Sequence, residues 1–428
     1  MKRNKISVFA LGLIGILSLA SCKTTSGKID FKVPEEIDIG TKVSLTAEQL
    51  KDAGFSEENP LRIGLVTDSG TLNDHSFNES SWNGVNAFAV NNGGGTINDK
   101  GIVSNGLIHT QYAQPAENHY DAQGRFNAMK TIATDFKANV IVLPGYLFQS
   151  AINMAQNDEA FKDVYLVGLD CAEKDDDGND IKFTDKVTAV SYREEQSGFL
   201  AGYASVAYGY RKLGFVGGMA VPAVVRFGSG WVQGAAQAAD DLNLENPVEM
   251  NYYYANKFAA TPEATRTVTE WYNKGTEIIF ACGGALYMSV TESIKGKPDK
   301  AWVGVDVNQY EDTSITGDAR TGLKTSAMKN LKMSVEVLLT SWVENGKQWP
   351  KDLKAEAVTV GAKSDMCQLP TEGGSWGFGD KFSIEDYNKL YARIKSGDIK
   401  VNAFDDDAIL SENNFGVDEK LVKVNYTK

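Results

Sequence analysis

The sequence predicts a doubly wound α/β protein of two lobes, each a parallel sheet with helices on both faces. Three observations carry this. Nine short apolar runs punctuate the chain: "RIGLVTD", "ANVIVLPG", "VYLVGLD", "KVTAVSY", "KLGFVGGM", "EMNYYYAN", "EIIFACGG", "AWVGVDV" and "GLKTSAM". Most are apolar throughout rather than alternating, as strands buried on both faces are. Helix-period segments separate them; in "REEQSGFLAGYASVAYG", Phe199, Tyr203, Val206 and Ala207 recur at three- and four-residue spacing. Strands alternating with helices build parallel sheets, and nine strands in 428 residues fit two sheets more naturally than one.

Taken in chain order, residues 1–21 read as a secretory leader: a basic "MKRNK" followed by the apolar "ISVFALGLIGILSLA". The apolar run is short for a membrane span, which takes about 20 residues. It ends in "LASC", which resembles a bacterial lipobox, so Cys22 is the expected lipidated N-terminus and membrane anchor. Residues 22–60 open with small polar residues and hold no sustained period, as a tether would. The remaining cysteines, Cys171, Cys282 and Cys367, form no CxxC pair, and the chain has three histidines. A zinc site or disulfide framework is therefore not expected, and no cofactor is implied. The acidic "CAEKDDDGND" lacks the closing glutamate of a calcium loop and reads as a solvated turn. A net charge of -13 argues against nucleic acid as the partner, because phosphate contacts need clustered Lys and Arg.

In doubly wound folds ligands bind outside the carboxyl ends of the strands, so the residues closing each apolar run matter most. The stretch "RIGLVTDSGTLNDHSFNESSWNGVNAF" places Asp68 at such an end and Asn73, Asp74, His75 and Phe77 in the loop after it. Ser76 and Glu79 have the spacing of a capping box, which starts the next helix at Ser76. Pattern alone leaves two readings open: a ligand site, or Asn73 and Asp74 serving only the turn with Phe77 only packing.

The same stretch resembles the D-x-G-x-x-N-D-K-S-F-N-Q signature of the basic membrane protein family, bacterial substrate-binding lipoproteins of ABC transporters whose characterised members bind purine nucleosides. "REEQSGFLAGYASV", "LGFVGGMAVPAVVRFGSGWVQGA", "WVGVDVNQY" and "LKTSAMKN" resemble further family motifs in the family's order, from about residue 61 to about 345. The resemblance implies a type I periplasmic-binding-protein fold with three crossovers, near "AVSYREEQ", near Gly322 and in 345–360. It places one lobe at 61–189 plus about 323–350, and the other at 190–322 plus about 351–428. It further implies that Phe77 and Phe258 stack on the two faces of a base, with Asp68 and Asn73 at its edge. Asp306 and Lys329 would hold the ribose, and Tyr146, Arg226, Phe227 and Gly284 would lie near the cleft. The implied partners are a nucleoside, a permease and an ATPase. The residues themselves leave other roles open: Asp306 as a helix cap, Lys329 as an ion-pair partner and Phe258 as packing between lobes. Two alternatives stay open: a sugar or small-metabolite receptor on this fold, and a nucleoside-cleaving enzyme. The enzyme is disfavoured because the dense aspartate cluster it needs is missing, as are P-loop and nucleophile-elbow motifs.

Overall fold

Each predicted apolar run becomes a strand, and all nine run parallel to one another within their sheets. The structure, a computed structural model, describes residues 33–68, 71–117, 119–406, 410 and 415–427. The predicted leader and Cys22 lie outside the described residues. The strands are β1 (Leu61–Val66), β2 (Ile108–Ala113), β3 (Val140–Pro144), β4 (Tyr165–Leu169), β5 (Val187–Tyr192), β6 (Lys212–Gly217), β7 (Val248–Tyr254), β8 (Ile278–Cys282), β9 (Ala301–Asp306), β10 (Leu323–Lys329), β11 (Ala357–Val360), β12 (Cys367–Gln368) and β13 (Val422–Thr427). One sheet has the order β11-β5-β4-β3-β1-β2, the other β12-β10-β9-β8-β6-β7-β13. Only the short β12 pairs antiparallel, against β10.

Helices cover both faces of each sheet. Phe77–Gly93 and Leu331–Glu344 share one apolar layer on the first sheet, and Ala122–Thr134 with Gln149–Ala155 cover the other. On the second sheet, Glu194–Tyr208, Pro222–Asp241 and Ile384–Lys395 pack on one face, Pro262–Asn273 and Tyr287–Ile294 on the other. Glu194–Tyr208 and Pro222–Asp241 touch backbone to backbone. A Cβ on Gly198 would lie 2.1 Å from the Phe227 carbonyl, and one on Gly230 2.1 Å from the Glu195 carbonyl. Only glycine allows this approach. It sets Glu194 beside Arg226.

Three crossovers join the lobes, and all leave the carboxyl ends of strands, where the cleft lies. They run through Arg193 after β5, Asn330 after β10, and residues 361–366 between β11 and β12. This corrects three expectations. β10 belongs to the second sheet, in register with β9, while only the helix after it packs on the first. Gly322 is no crossover, because it ends a short helix at the amino end of β10, away from the cleft. The strand at 357–360, expected in the second lobe, pairs with β5 in the first.

The segment expected to be a tether is packed from residue 34 onward. Thr46 and Gln49 form a capping box on the helix Ala47–Asp52, which buries Leu50 beside Phe55 in the first-lobe core. Upstream, the buried Glu36 carboxylate accepts from Arg193 and Gln196 of the first crossover and from the Lys363 amide of the third. Buried charge with this many donors is why the segment holds its place.

Candidate functional site

The first-lobe wall is built by the loop between β1 and the helix Phe77–Gly93. Asp74, not the predicted Ser76–Glu79 box, caps that helix. Its carboxylate accepts the amides of Ser76 (3.0 Å), Asn78 (2.9 Å) and Glu79 (3.1 Å). A carboxylate reaching three amides outcompetes one hydroxyl. Glu79 accepts the His75 amide instead. The Ser76 hydroxyl is thereby released, and it donates across the cleft to Asp306 Oδ2 at 2.7 Å. Asn78, which the sequence reading passed over, holds Asp68: its Nδ2 donates to Asp68 Oδ1 (3.0 Å) and Asp74 Oδ2 (2.9 Å).

The second-lobe wall rests on glycine. Phe258, in the loop after β7, lies on Gly218 and Gly283; a Cβ on Gly218 would stand 2.4 Å from its ring. Gly283 has φ 145°, a conformation that excludes most side chains. Phe227 is almost fully buried in the helix Pro222–Asp241 and faces the same space.

Between the walls is a cavity of about 400 Å³. The sequence-predicted Asp68, Asn73, Phe77, Phe258, Asp306, Lys329, Tyr146, Phe227 and Gly284 all line it. Arg226 does not. It stands one step back, bonding Glu194 (3.2 Å) and Asp405 (2.6 Å). A wider polar groove of about 850 Å³ lies against the same Ser76, Asp306 and Lys329 but is lined by neither Phe77 nor Phe258. Asp170, also missed, lines the smaller cavity. No sequence spacing links it to Lys329, 159 positions away.

Lys329 is the electrostatic centre. Its Nζ meets Asp170 Oδ2 at 2.5 Å and Glu194 Oε1 at 3.1 Å, and lies 4.8 Å from the Phe77 ring centroid. Burial alone would lower its pKa, but Asp170, Glu194 and Asp306 together raise it, so the amine stays charged. Burial pushes Asp306 upward against the pull of Lys329 and the Ser76 hydroxyl, and pushes Asp170 upward despite Lys329. Glu194 goes down: burial raises it, but Lys329 and Arg226 outweigh burial. Ion pairing, one of the readings left open for Lys329, is thus present in the same residue that lines the cavity. Among the described residues no group of acids, histidines and cysteines is placed to hold a metal ion.

Residues 62–388 match the model of the Bmp family, described as PnrA-like ABC transporter substrate-binding proteins. The chain belongs to that family. Bmp proteins are substrate-binding components rather than enzymes, working with a permease and an ATPase on a small-molecule ligand. The chain is 24% identical over 322 residues to the ABC transporter nucleoside-binding protein BmpA of Lactococcus lactis subsp. cremoris, covering 72% of this chain and 75% of that one. It is 25% identical over 367 residues to a CD4+ T-cell-stimulating antigen of Listeria monocytogenes, covering 83% and 92%. Solute-binding proteins of ABC transporters from Aeropyrum pernix K1 and Conexibacter woesei superpose with TM-scores of 0.62 and 0.59 at 18% and 16% identity. They cover 83% and 81% of this Bmp chain and 99% and 100% of their own, which establishes the type I binding-protein fold. No helix among the described residues is long and apolar enough to cross a membrane.

Proposed function

We propose that this Bmp protein binds nucleosides, purine nucleosides first among them, and delivers them to its permease while anchored through lipid on Cys22. One observation carries the reading: Phe77 and Phe258, from opposite lobes, line one small cavity that also holds Asp306 and Lys329. Two rings suit the faces of a flat base, and stacking adds about 0.5–1.5 kcal/mol beyond burial of area. Asp68 and Asn73 offer acceptors and donors at the polar side, where a base edge needs fixed geometry. The relative from Lactococcus, named for nucleoside binding, supports the same ligand class.

The charge balance narrows the class. Asp68, Asp170 and Asp306 face the cavity, and its one cation, among the described lining residues, is already paired. A neutral ligand rich in donors satisfies these groups, whereas a nucleotide phosphate meets repulsion. Closure follows from the same placement. A ligand seated on one wall gains contacts from the other only when the lobes meet, and that difference drives the hinge.

Isothermal titration of the chain from residue 23 onward, against nucleosides, free bases, nucleoside monophosphates and sugars, tests the reading. Nucleosides should bind tightly, and bases and monophosphates at least tenfold more weakly. Sugar binding without nucleoside binding would replace the reading with a sugar receptor, and release of free base during the titration would indicate an enzyme. Phe77→Ala should lower nucleoside affinity roughly tenfold, about 1.4 kcal/mol, while moving the unfolding midpoint little. For the anchor, Cys22→Ala should shift the protein from the membrane fraction to the soluble one; retention at the membrane would refute it.

A further inference from the structure

We infer that Asp170 is an additional ligand-binding residue, whose Oδ1 accepts a hydrogen bond from a hydroxyl on the ligand's sugar, opposite Asp306. The inference rests on the nucleoside reading and names which atoms of this chain grip the sugar.

Asp170 follows β4 of the first sheet, and its carboxylate is divided between two tasks. Oδ2 meets Lys329 Nζ. Oδ1 is buried and has no hydrogen-bond partner among the described residues, in a side chain that lines the cavity. The Tyr192 hydroxyl is buried nearby but makes no hydrogen bond to Asp170, and the other nearby donors are committed elsewhere. Lys329 also serves Glu194, Arg226 serves Glu194, Asp405 and the Tyr192 carbonyl, and the Cys171 thiol donates to the Gly145 carbonyl. A buried carboxylate oxygen without a donor is costly, and a donor brought by a ligand removes that cost.

The backbone holds the side chain there. Asp170 sits at φ 57°, the left-handed region that few non-glycine residues enter, with its amide donating to the Val190 carbonyl at 2.7 Å. Asp306 sits at φ 63° at the end of β9, the strand that holds the matching place in the second sheet. One such aspartate from each lobe therefore acts on Lys329, Asp170 through an ion pair and Asp306 through its charge at longer range. If the role of Asp170 were only to neutralise Lys329, Glu194 would already fill it, and its side chain would not need to line the cavity. A hydroxyl bonded to Asp170 ties the sugar to the first lobe while Asp306 and Lys329 tie it to the second. The sugar then rewards closure, and not the base alone.

The test pairs changes on the ligand with changes on the protein. The chain from residue 23 onward and its Asp170→Ala and Asp170→Asn variants are titrated with a ribonucleoside and its 2′-deoxy, 3′-deoxy and 2′,3′-dideoxy analogues. With the unaltered protein, removing one hydroxyl should cost roughly 10- to 100-fold in affinity, the range for a hydrogen bond to a charged group. In Asp170→Ala that same removal should cost less than about 3-fold, because the two changes delete one interaction. If Asp170→Ala fails to melt cooperatively, Asp170→Asn decides by the same criterion. Equal loss for ribo- and deoxynucleosides in the variants would overturn the inference and leave nucleoside binding standing. An unaltered protein that binds no nucleoside would overturn both.

Discussion

In the first lobe β3 runs into Gly145 at φ 123° and a one-turn helix; in the second, β8 runs into Gly283 at φ 145° and another. The next strand of each sheet closes on a left-handed aspartate, Asp170 or Asp306. Without their edge strands β11, β12 and β13, the sheets have the same winding, β5-β4-β3-β1-β2 and β10-β9-β8-β6-β7. The walls nonetheless differ. The first presents Asp68, Asn73, Asp74 and Tyr146 beside one apolar ring, Phe77; the second presents Val221, Val224, Phe227, Phe258 and Met288, with its charged groups confined to Asp306 and Lys329. One winding has been fitted with a wall for hydrogen bonds and a wall for surface. The exception, Lys329, sits where β10 hands the chain back to the first lobe, so the one cation stands between acids from both sides.

That exception is where the comparison breaks most violently. Lys329→Met should destabilise the protein by about 3–5 kcal/mol, because it leaves Asp170, Glu194 and Asp306 buried without their shared counter-ion. Chemical denaturation would show a lower midpoint, and nucleoside binding should be lost with it. A variant of near-normal stability would mean that Arg226 alone can balance the acids.

A smaller effect follows from pH. Asp170 is held near pKa 7 in the folded state, chiefly by burial, against about 3.9 for an unfolded aspartate. Its folded form therefore binds more protons, so its contribution to stability is complete below about pH 4 and is lost as pH rises through 7. Asp306 and Asp74, raised chiefly by burial, act in the same direction. The lowered pKa of Glu194 acts below this window, while His109, lowered chiefly by burial, acts in the opposite direction. Thermal melts at pH 5.5 and 7.5 should show greater stability at the lower pH. Asp170→Asn should flatten the difference; an unchanged slope would assign it to another group.

How much of this was legible depends on burial. The nine strands read from sequence lie within the sheets, mostly buried on both faces. The missed ones are edges: β2, "IHTQYA", is half exposed and polar, β12 has two residues, and β11 and β13 alternate. The helix Ala47–Asp52 spans six residues, too few for a period to emerge. In the site, residues next to strand ends stood out, because position along one strand is a local property. Asp170 ends "YLVGLDC" just as visibly, but its partner is supplied by a strand of the other lobe, and only the fold brings them together. Arg226 misled for the converse reason: it lies between the cavity-lining Val224 and Phe227 but turns back toward Glu194.

The smallest expected effect bears on the comparison most directly, because Ser76 has a local and a long-range reading. As a helix cap, its loss would cost the first lobe about 1 kcal/mol and leave affinity alone. In the structure Asp74 holds the amides, and the Ser76 hydroxyl spans the lobes to Asp306. Ser76→Ala should therefore leave the unfolding midpoint nearly unchanged and weaken nucleoside binding roughly 3- to 10-fold, the range for one bond to a charged acceptor with partial compensation by Lys329. Since the bond forms only when the walls meet, the loss should fall on dissociation rather than association in stopped-flow traces. Asp74→Ala should do the opposite, lowering the midpoint first. Were both variants to lose stability and neither affinity, the 2.7 Å contact would have no part in closure, and the two walls would meet through the ligand alone.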